Sequence, residues 1–315
     1  MNRTRALPAV LEVLDDGLRL YRRHLAGFTL VATAVLVLLA IFSLSFMAFV
    51  RSEIGTSPGW LFLAICVLLL LGYPLLLYAF AALSRATAAA LDGQAISLSG
   101  ALRLSPIRGV GMIFFNVLFS LLAGMFASVM AVVLSCPISY LSILMTAAFS
   151  VMSSSSGVSA SLGLLGVLSQ ISTFWSLTVA GAWLASMVYA VQAFVLEQRP
   201  WREASSRAID VLTVRFGYSL LMFLGAGAIF GTLLLSYLGS MLALWIFIQD
   251  RLLASLPPLA GDVITIVLIV GSLVILLPPL AIWMAIFYRR QVRERDGEEI
   301  ARQVADWRAQ TLSGS

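Results

Sequence analysis

The feature that most constrains this chain is a series of long apolar stretches that contain no charged side chain. Residues 25–50, 54–84, 109–196, 216–249 and 263–288 contain no Asp, Glu, Arg, Lys or His. About 20 consecutive apolar residues suffice for a helix to cross the hydrocarbon core of a bilayer. Because hydrophobic residues make up 61% of the chain and charged residues only 11%, a water-soluble fold could not cover its apolar surface. The pattern predicts an all-α, polytopic membrane protein.

The stretch 109–196 is too long for one crossing and, by length alone, fits either two or three. Arginine placement favours two, because loops on the cytoplasmic side are enriched in Arg and Lys near the helix ends. With six crossings in total, every arginine except Arg51 and Arg251 falls on one side. We therefore predict a protein of the bacterial cytoplasmic membrane with both termini in the cytoplasm. Its six transmembrane helices are predicted near 27–50, 60–84, 110–134, 163–194, 216–239 and 262–288.

Residues 1–290 are predicted to form a single membrane domain, with a separate apolar segment, 137–157, on the outer side. This segment is expected to lie on the surface or to re-enter the bilayer, and to pack against the helices, because non-helical backbone at membrane depth must be buried by protein. Residues 291–315 are predicted to be a cytoplasmic tail that forms a short amphipathic helix after a break at Gly297. The apolar positions of that helix are Ile300, Val304 and Trp307.

A short amphipathic stretch that contains arginine precedes each odd-numbered transmembrane helix. This predicts three pseudo-repeated units, each an amphipathic helix followed by a helical hairpin. The stretches begin at Pro8, Ile96 and Trp201, and the last two end at Arg108 and Arg215. Helices of this kind lie in the membrane interface with arginine among the head groups, so these arginines either fix the topology alone or also bind lipid. The predicted head-group contacts are Arg19, Arg22, Arg23, Arg103, Arg108, Arg207 and Arg215.

The junctions between these units resemble those of a known family. Residues 91–97 (LDGQAIS) and 196–204 (LEQRPWREA) resemble junctions in bacterial membrane proteins with the glycerophosphoryl diester phosphodiesterase membrane domain. In that family a spanning helix ends in an acidic residue, and a tight turn leads into an amphipathic helix. Residues 18–23 (LRLYRR) are similar to the family's first helix. The resemblance covers most of 8–290 and implies the membrane part only, because the hydrolase domain of some members needs several histidines.

No arrangement of residues commits this chain to a chemical reaction. Charged residues at mid-span often mark transport or catalysis in membrane proteins, but Arg85, Glu197 and Asp262 lie at the ends of predicted helices. His24 is the only histidine, and no second ligand or acid accompanies it in the sequence. Walker, HExxH and GxSxG motifs are absent from the sequence. We therefore predict that the protein is not an enzyme and has no catalytic residue, cofactor or metal site.

Uncharged polar residues inside the predicted spans have two possible roles, hydrogen bonds between helices or a substrate path. These residues are Tyr73, Asn116, Gln170, Thr173, Tyr189 and Gln192. Pro74, Pro278 and Pro279 are expected to kink or loosen their helices. Cys66 and Cys136 are expected to pack as small apolar side chains, and the sequence leaves open whether they form a disulfide with each other.

These observations favour a non-enzymatic protein that binds or organises other membrane components, as an accessory, assembly or lipid-contacting scaffold subunit. The rival hypothesis is a transporter or permease for a weakly polar or lipidic solute. The expected partners are phospholipids, preferentially anionic, and a membrane-protein complex. Nucleic acid is not expected, because the net charge of +5 arises from arginines beside helix ends.

Overall fold

A computed structural model describes residues 6–53, 58–151, 157–251 and 258–313. These residues form nine α-helices and no strand. Six of the helices contain a stretch long and apolar enough to cross a membrane, which confirms the all-α class and the six candidate crossings. The helices are α1 (Ala6–Arg23), α2 (Leu25–Glu53), α3 (Pro58–Leu91), α4 (Leu98–Leu102), α5 (Pro106–Val151), α6 (Gly157–Leu196), α7 (Trp201–Val214), α8 (Phe216–Arg251) and α9 (Pro258–Ser313).

The spanning stretches are helical because hydrocarbon offers no water to the backbone, and a helix satisfies its own N–H and C=O groups. Successive spanning helices reverse direction, so α1 and the last third of α9 meet at one end of the bundle, where Arg290 bonds to Glu12. We call this the arginine-rich end; α4 and α7 also lie there. The six candidate membrane-spanning stretches are Leu25–Phe46, Leu70–Leu91, Pro106–Val133, Ser169–Leu196, Phe216–Met241 and Ile266–Gly297.

Helices α3, α6 and α9 form the centre of the bundle, and each of them touches the other two. Helix α2 packs against α3 and α9, α8 packs against α6 and α9, and α5 packs mainly against α6. Large side chains such as Phe80, Tyr189 and Trp283 are fully buried in this centre. The spanning stretch of α6 is 72% buried, whereas that of α5 is only 11% buried. The exposed surface of α5 is apolar, as contact with lipid tails requires.

The three short helices pack on different hairpins of the bundle. Helix α1 packs on α8 and α9, α4 on α3 and α2, and α7 on α6, α5 and α9. The Trp283 indole N–H donates a hydrogen bond to the Leu14 carbonyl at 2.9 Å, and the Trp283 ring fills the space where Gly17 lacks a side chain. Each short helix thus packs mainly against a hairpin other than its own, an order that three repeated units would produce. The repeat itself stays a prediction.

The second amphipathic stretch differs from its predicted form. It was expected to run from Ile96 to Arg108, but α4 comprises only five residues, and residues 103–105 separate it from α5. The cause is Pro106, which disfavours helical backbone at the preceding residue and is itself well suited to begin a helix. The interfacial helix of the second unit is therefore much shorter than α1 and α7.

Two helix boundaries expected from the sequence, at Pro137 and at Gly297, lie inside helices of the structure, and the placement of residues 137–157 on the outer side stays a prediction. Residues 137–151 continue α5 and do not form a separate segment, because a membrane helix tolerates an internal proline such as Pro137 when its surroundings satisfy the freed carbonyl. Residues 152–156 of the same prediction lie outside the described residues. Gly297 does not break α9, which continues to Ser313; a glycine costs a helix only about 1 kcal/mol relative to alanine.

Small residues bring two spanning helices into backbone contact. A methyl group placed on Gly181 of α6 would lie 2.7 Å from the Gly227 carbonyl oxygen of α8, and one placed on Gly231 would lie 3.1 Å from the Leu177 carbonyl oxygen of α6. Small residues at four-residue spacing allow such an approach. The Gly181-x-x-x-Ala185 and Gly227-x-x-x-Gly231 spacings therefore join helices within one chain.

Candidate functional site

Two junctions at the arginine-rich end turn in the same way. Gly93 follows α3 with φ 71°, and Gln198 follows α6 with φ 53°. This left-handed region suits glycine, and it strains a residue with a side chain unless neighbouring structure holds it in place. Each turn comes directly after an acidic residue, Asp92 in one case and Glu197 in the other. The turns direct both carboxylates towards α9.

Helix α9 forms ion pairs with several neighbouring elements at this end. Arg289 donates two hydrogen bonds to Asp92, at 2.8 and 3.2 Å, and the Tyr288 hydroxyl donates to Glu197 at 2.6 Å. The bond from Arg289 holds the pKa of Asp92 below its usual value. The remaining pairs between α9 and its neighbours are Arg290–Glu12, Arg295–Asp210, Arg207–Asp296 and Arg215–Glu294.

Arg207 is the least exposed arginine of the described ion pairs. Its guanidinium lies 2.6 Å from Asp296 and 3.6 Å from Glu197, and its side chain is 13% exposed. Burial by itself lowers the pKa of Arg207, but the hydrogen bond to Asp296 and the charge of Glu197 outweigh it and raise that pKa. This arginine stays charged and is held by two carboxylates.

The structure separates the predicted head-group contacts into three groups. Arg207 and Arg215 are engaged with acidic residues of α9, a contact that the sequence could not reveal because the partners lie far apart in the chain. The side chains of Arg22 and Arg23 are exposed at the end of α1. Arg19 is also exposed and forms an ion pair with Asp15 one turn earlier, at 2.7 Å.

The other two predicted residues, Arg103 and Arg108, meet a third arginine, Arg85, at a cavity of about 350 Å³. We call it the arginine cavity. Sequence reasoning missed Arg85, which was assigned a role only at a helix end. The signal that could have found it is an arginine within the last turns of an otherwise apolar spanning stretch. The remaining residues around the cavity are Leu104, Ser105, Phe194, Val195 and Gln198.

Local sequence explains how the wall of this cavity is held. The Ser97 side chain accepts a hydrogen bond from the Gly100 backbone N–H and so caps α4, a favoured role for serine. The Tyr78 hydroxyl of α3 donates a hydrogen bond to the Leu102 carbonyl. Pro106 then begins α5. The segment that bears Arg103 is thereby fixed between α3 and α5, beside Arg85.

The positive charge of the arginine cavity has no acidic counterpart in the described part of the chain. There, no Asp or Glu oxygen lies within 4.0 Å of the guanidinium groups of Arg85, Arg103 and Arg108. Arg108 donates to the side-chain carbonyl of Gln198 at 3.3 Å. The charges of Arg103 and Arg108 act on Arg85 directly. Since like charges repel in close proximity, this arrangement favours an anion.

The polar residues at mid-span join helices to one another. The Tyr73 hydroxyl donates to Asn116 at 2.6 Å, and Asn116 donates to the Met187 carbonyl at 2.8 Å. The Gln192 amide donates to Ser84 at 2.9 Å. These residues connect α3, α5 and α6, and none of them lines the arginine cavity.

The other polar candidates have separate surroundings. The Tyr189 hydroxyl donates to Gln291 of α9 at 2.8 Å. Thr173 is exposed and bonds to the Ser169 carbonyl of its own helix. Gln170 is exposed as well. The described hydrogen bonds thus assign Tyr189 to helix packing and leave Gln170 and Thr173 outside the centre of the bundle.

An apolar groove of about 400 Å³ lies between α5, α6 and α8, with α7 at its arginine-rich end. Its walls are almost entirely apolar, as suits lipid tails or another apolar helix. The larger side chains around it are Phe126, Met130, Trp175, Trp183, Phe216 and Phe223. The groove and the arginine cavity thus both lie beside α5 and α6.

The fold and these surfaces define a multi-pass α-helical membrane protein with a cationic cavity at one end. No family model, curated protein or solved structure matches the chain, so the resemblance of its junctions to the glycerophosphoryl diester phosphodiesterase membrane domain stays a prediction. Among the described residues, no three His, Cys, Asp or Glu side chains lie together as a metal site. Cys66 and Cys136 are free and exposed.

Proposed function

We propose that this protein is a non-enzymatic, lipid-contacting scaffold or accessory subunit of the bacterial cytoplasmic membrane. In this proposal both termini lie in the cytoplasm, and the arginine-rich end contacts the anionic lipid of the inner leaflet. The observation that carries the proposal is the positive charge of Arg85, Arg103 and Arg108, which is not neutralised within the described chain.

The amphipathic helix α1 supports the same proposal. Its buried face, which includes Val10, Val13 and Leu14, packs on the bundle. Its other face presents exposed Arg22 and Arg23 close to the beginning of the first span. Arginine at this depth contacts lipid head groups while its apolar stem stays in the interface. The C-terminal end of α1, with Arg22 and Arg23, therefore adds cationic surface at the level where phosphates are expected.

The interior of the bundle also favours a scaffold over a carrier. Asn116 is used in hydrogen bonds between helices, with Tyr73 and Met187, and the Gln192 amide N–H donates to Ser84 of another helix. Such bonds hold helices in one arrangement. The apolar groove offers a place for acyl chains or for a partner's transmembrane helix.

The lipid part of the proposal is tested with spin-labelled lipids in reconstituted vesicles. Electron paramagnetic resonance measures the fraction of each lipid that the protein immobilises. We expect phosphatidylglycerol to be immobilised in preference to phosphatidylcholine. Replacing Arg19, Arg22 and Arg23 together by glutamine should reduce this preference at least roughly twofold, because each cationic residue near an anionic surface contributes on the order of 1 kcal/mol.

The matched control replaces the same three arginines by lysine. Lysine keeps the positive charge, so this variant should retain most of the preference for phosphatidylglycerol. Equal immobilisation of the two lipids by the unmodified protein would overturn the lipid-contacting function.

The accessory part of the proposal is tested by purification from native membranes in a mild detergent. A scaffold or accessory subunit should co-purify with another membrane protein in a fixed ratio. Isolation of the chain alone or as a homo-oligomer, together with solute uptake by reconstituted vesicles, would replace this proposal with the transporter hypothesis.

A further inference from the structure

The arginine cavity differs from the ion pairs that surround it at the arginine-rich end. Around it, arginines such as Arg207, Arg289 and Arg290 have carboxylate partners within 4.0 Å. Arg85 and Arg108 are only partly exposed and line the cavity together with Arg103, and none of the three has such a partner among the described residues. Positive charges in a partly desolvated site are stabilised when an anion binds beside them.

The donors of this cavity match the geometry of a phosphate group. A guanidinium presents a planar fork of N–H donors that bonds phosphate oxygens in pairs. Ser105 lies at the same cavity and its hydroxyl can donate another hydrogen bond. A volume of about 350 Å³ accommodates a phosphate together with part of the group that bears it.

The amount of charge distinguishes between classes of phosphate. A phosphodiester such as the head group of phosphatidylglycerol bears one negative charge, whereas a phosphomonoester bears about 1.5 to 2 at pH 7. Three guanidinium groups therefore interact more strongly with the monoester. Phe194, Val195 and Leu104 line the same cavity and provide apolar surface for the carbon chain next to the phosphate.

The position of the cavity indicates that a lipid provides the phosphate. Arg85 lies within the spanning stretch Leu70–Leu91, close to its end, and Arg108 lies in the first turn of the spanning stretch Pro106–Val133. These positions correspond to the level of lipid head groups in a bilayer. We infer that the arginine cavity is a selective binding site for a phosphomonoester lipid head group, of the kind that phosphatidic acid presents.

This inference rests on the proposed lipid contact and makes it specific. It predicts one saturable site per chain, in addition to weaker contacts at exposed arginines such as Arg22. The purified full-length protein in neutral detergent is titrated with short-chain phosphatidic acid, short-chain phosphatidylglycerol and inorganic phosphate, and binding is followed by native mass spectrometry and calorimetry. We expect phosphatidic acid to bind at one per chain and roughly tenfold more tightly than phosphatidylglycerol, given its additional charge.

The variants Arg85→Gln and Arg103→Gln should each weaken phosphatidic acid binding roughly tenfold, because each removes a charge-assisted hydrogen-bond donor. Arg103 lies outside the helices, so its replacement is tolerated by the fold even if that of Arg85 is not. The matched control is Arg293→Gln, which removes one exposed positive charge from the same end and should leave binding unchanged. A loss of affinity in the control equal to that in Arg103→Gln would overturn the site.

The pH dependence of binding gives a test in the unmodified protein. The second ionisation of a phosphomonoester has a pKa of about 6. The affinity for phosphatidic acid should therefore fall when the pH of the buffer is lowered from about 7.5 to about 5.5, whereas the affinity for phosphatidylglycerol should stay constant. Equal affinity for both lipids with a general preference over phosphatidylcholine would overturn this inference and leave the proposed function standing. Tighter binding of inorganic phosphate than of phosphatidic acid would overturn the lipid as the source of the phosphate.

Discussion

At the scale of single residues, Glu197 is the acid on which the arginine-rich end most depends. It accepts a hydrogen bond from Tyr288, pairs with Arg199 at 2.7 Å and lies 3.6 Å from Arg207. The variant Glu197→Gln keeps the shape of the side chain and removes its charge. Because Arg207 then loses one of its two acidic partners in a partly buried site, we expect the free energy of unfolding to fall by about 1–3 kcal/mol.

Reversible unfolding in mixed detergent micelles measures this loss. The control is Asp15→Asn, which breaks the exposed pair between Asp15 and Arg19 and should cost no more than about 0.5 kcal/mol. If the two variants unfold at the same detergent composition, Glu197 does not have the structural role assigned to it.

Asp92 provides a pH-dependent contact at the same scale. Its hydrogen bond with Arg289 lowers the pKa of Asp92, so the stabilisation is complete above the ordinary aspartate pKa of about 3.9. It is lost as the pH falls through the lowered value, because protonation removes the charge that Arg289 binds. The difference in Tm between the unmodified protein and Asp92→Asn should therefore be constant near neutral pH and shrink in acid. A difference that grows as the pH falls would contradict this assignment.

At the scale of helices, the contact between α6 and α8 depends on glycine. A methyl group on Gly227 would collide with the Thr178 carbonyl and the Ala182 backbone N–H, so Gly227→Ala should force the helices apart. Overpacking of this kind costs about 1–3 kcal/mol. Gly239 on the same helix has no neighbouring atom within 4 Å of such a methyl group, and Gly239→Ala should be neutral or slightly stabilising. Detergent unfolding of both variants checks the prediction, and equal stability would show that the close approach is not needed.

The sequence predicted the helices well because long uncharged stretches leave the backbone no alternative in lipid. It missed the early end of the second amphipathic helix, where Pro106 disfavours helical backbone at the preceding residue. It also misplaced two boundaries, at Pro137 and at Gly297, because helix length in a membrane protein depends on neighbouring helices that satisfy or shield the backbone. Local signals such as an internal proline or glycine are weaker than that effect.

The candidate site was predicted only in part, for a different reason. Arg103 and Arg108 were recognised as interfacial arginines, but their meeting with Arg85 depends on the packing of α3 beside α5 and α6. Likewise, Arg207 and Arg215 were predicted to contact lipid, and their pairing with acids of α9 joins residues about 80 to 90 positions apart. The sequence shows which residues are charged, and the fold decides which charges are neutralised.

At the scale of the whole molecule, ionic contacts concentrate where the chain's first and last helices meet. Helix α9 joins α1 through Arg290, the end of α3 through Arg289, and α7 through Arg295 and Asp296. Three hairpins that contact one another mainly through apolar surfaces are thereby joined at one end. This end also bears the arginine cavity, so a head group bound there would lie beside the contacts that hold the bundle together.

The orientation of the whole molecule gives the last prediction, which is that the arginine-rich end faces the cytoplasm. In a background of Cys66→Ser and Cys136→Ser, a single cysteine is placed either at Ser99, in α4, or at Ser154, between α5 and α6. A maleimide that cannot cross membranes should label Ser154→Cys in intact cells and Ser99→Cys only after the cells are permeabilised. Labelling of Ser99→Cys in intact cells would show that the arginine-rich end lies outside the cell. The arginines could then not contact the anionic lipid of the inner leaflet, and both the predicted topology and the proposed function would be wrong.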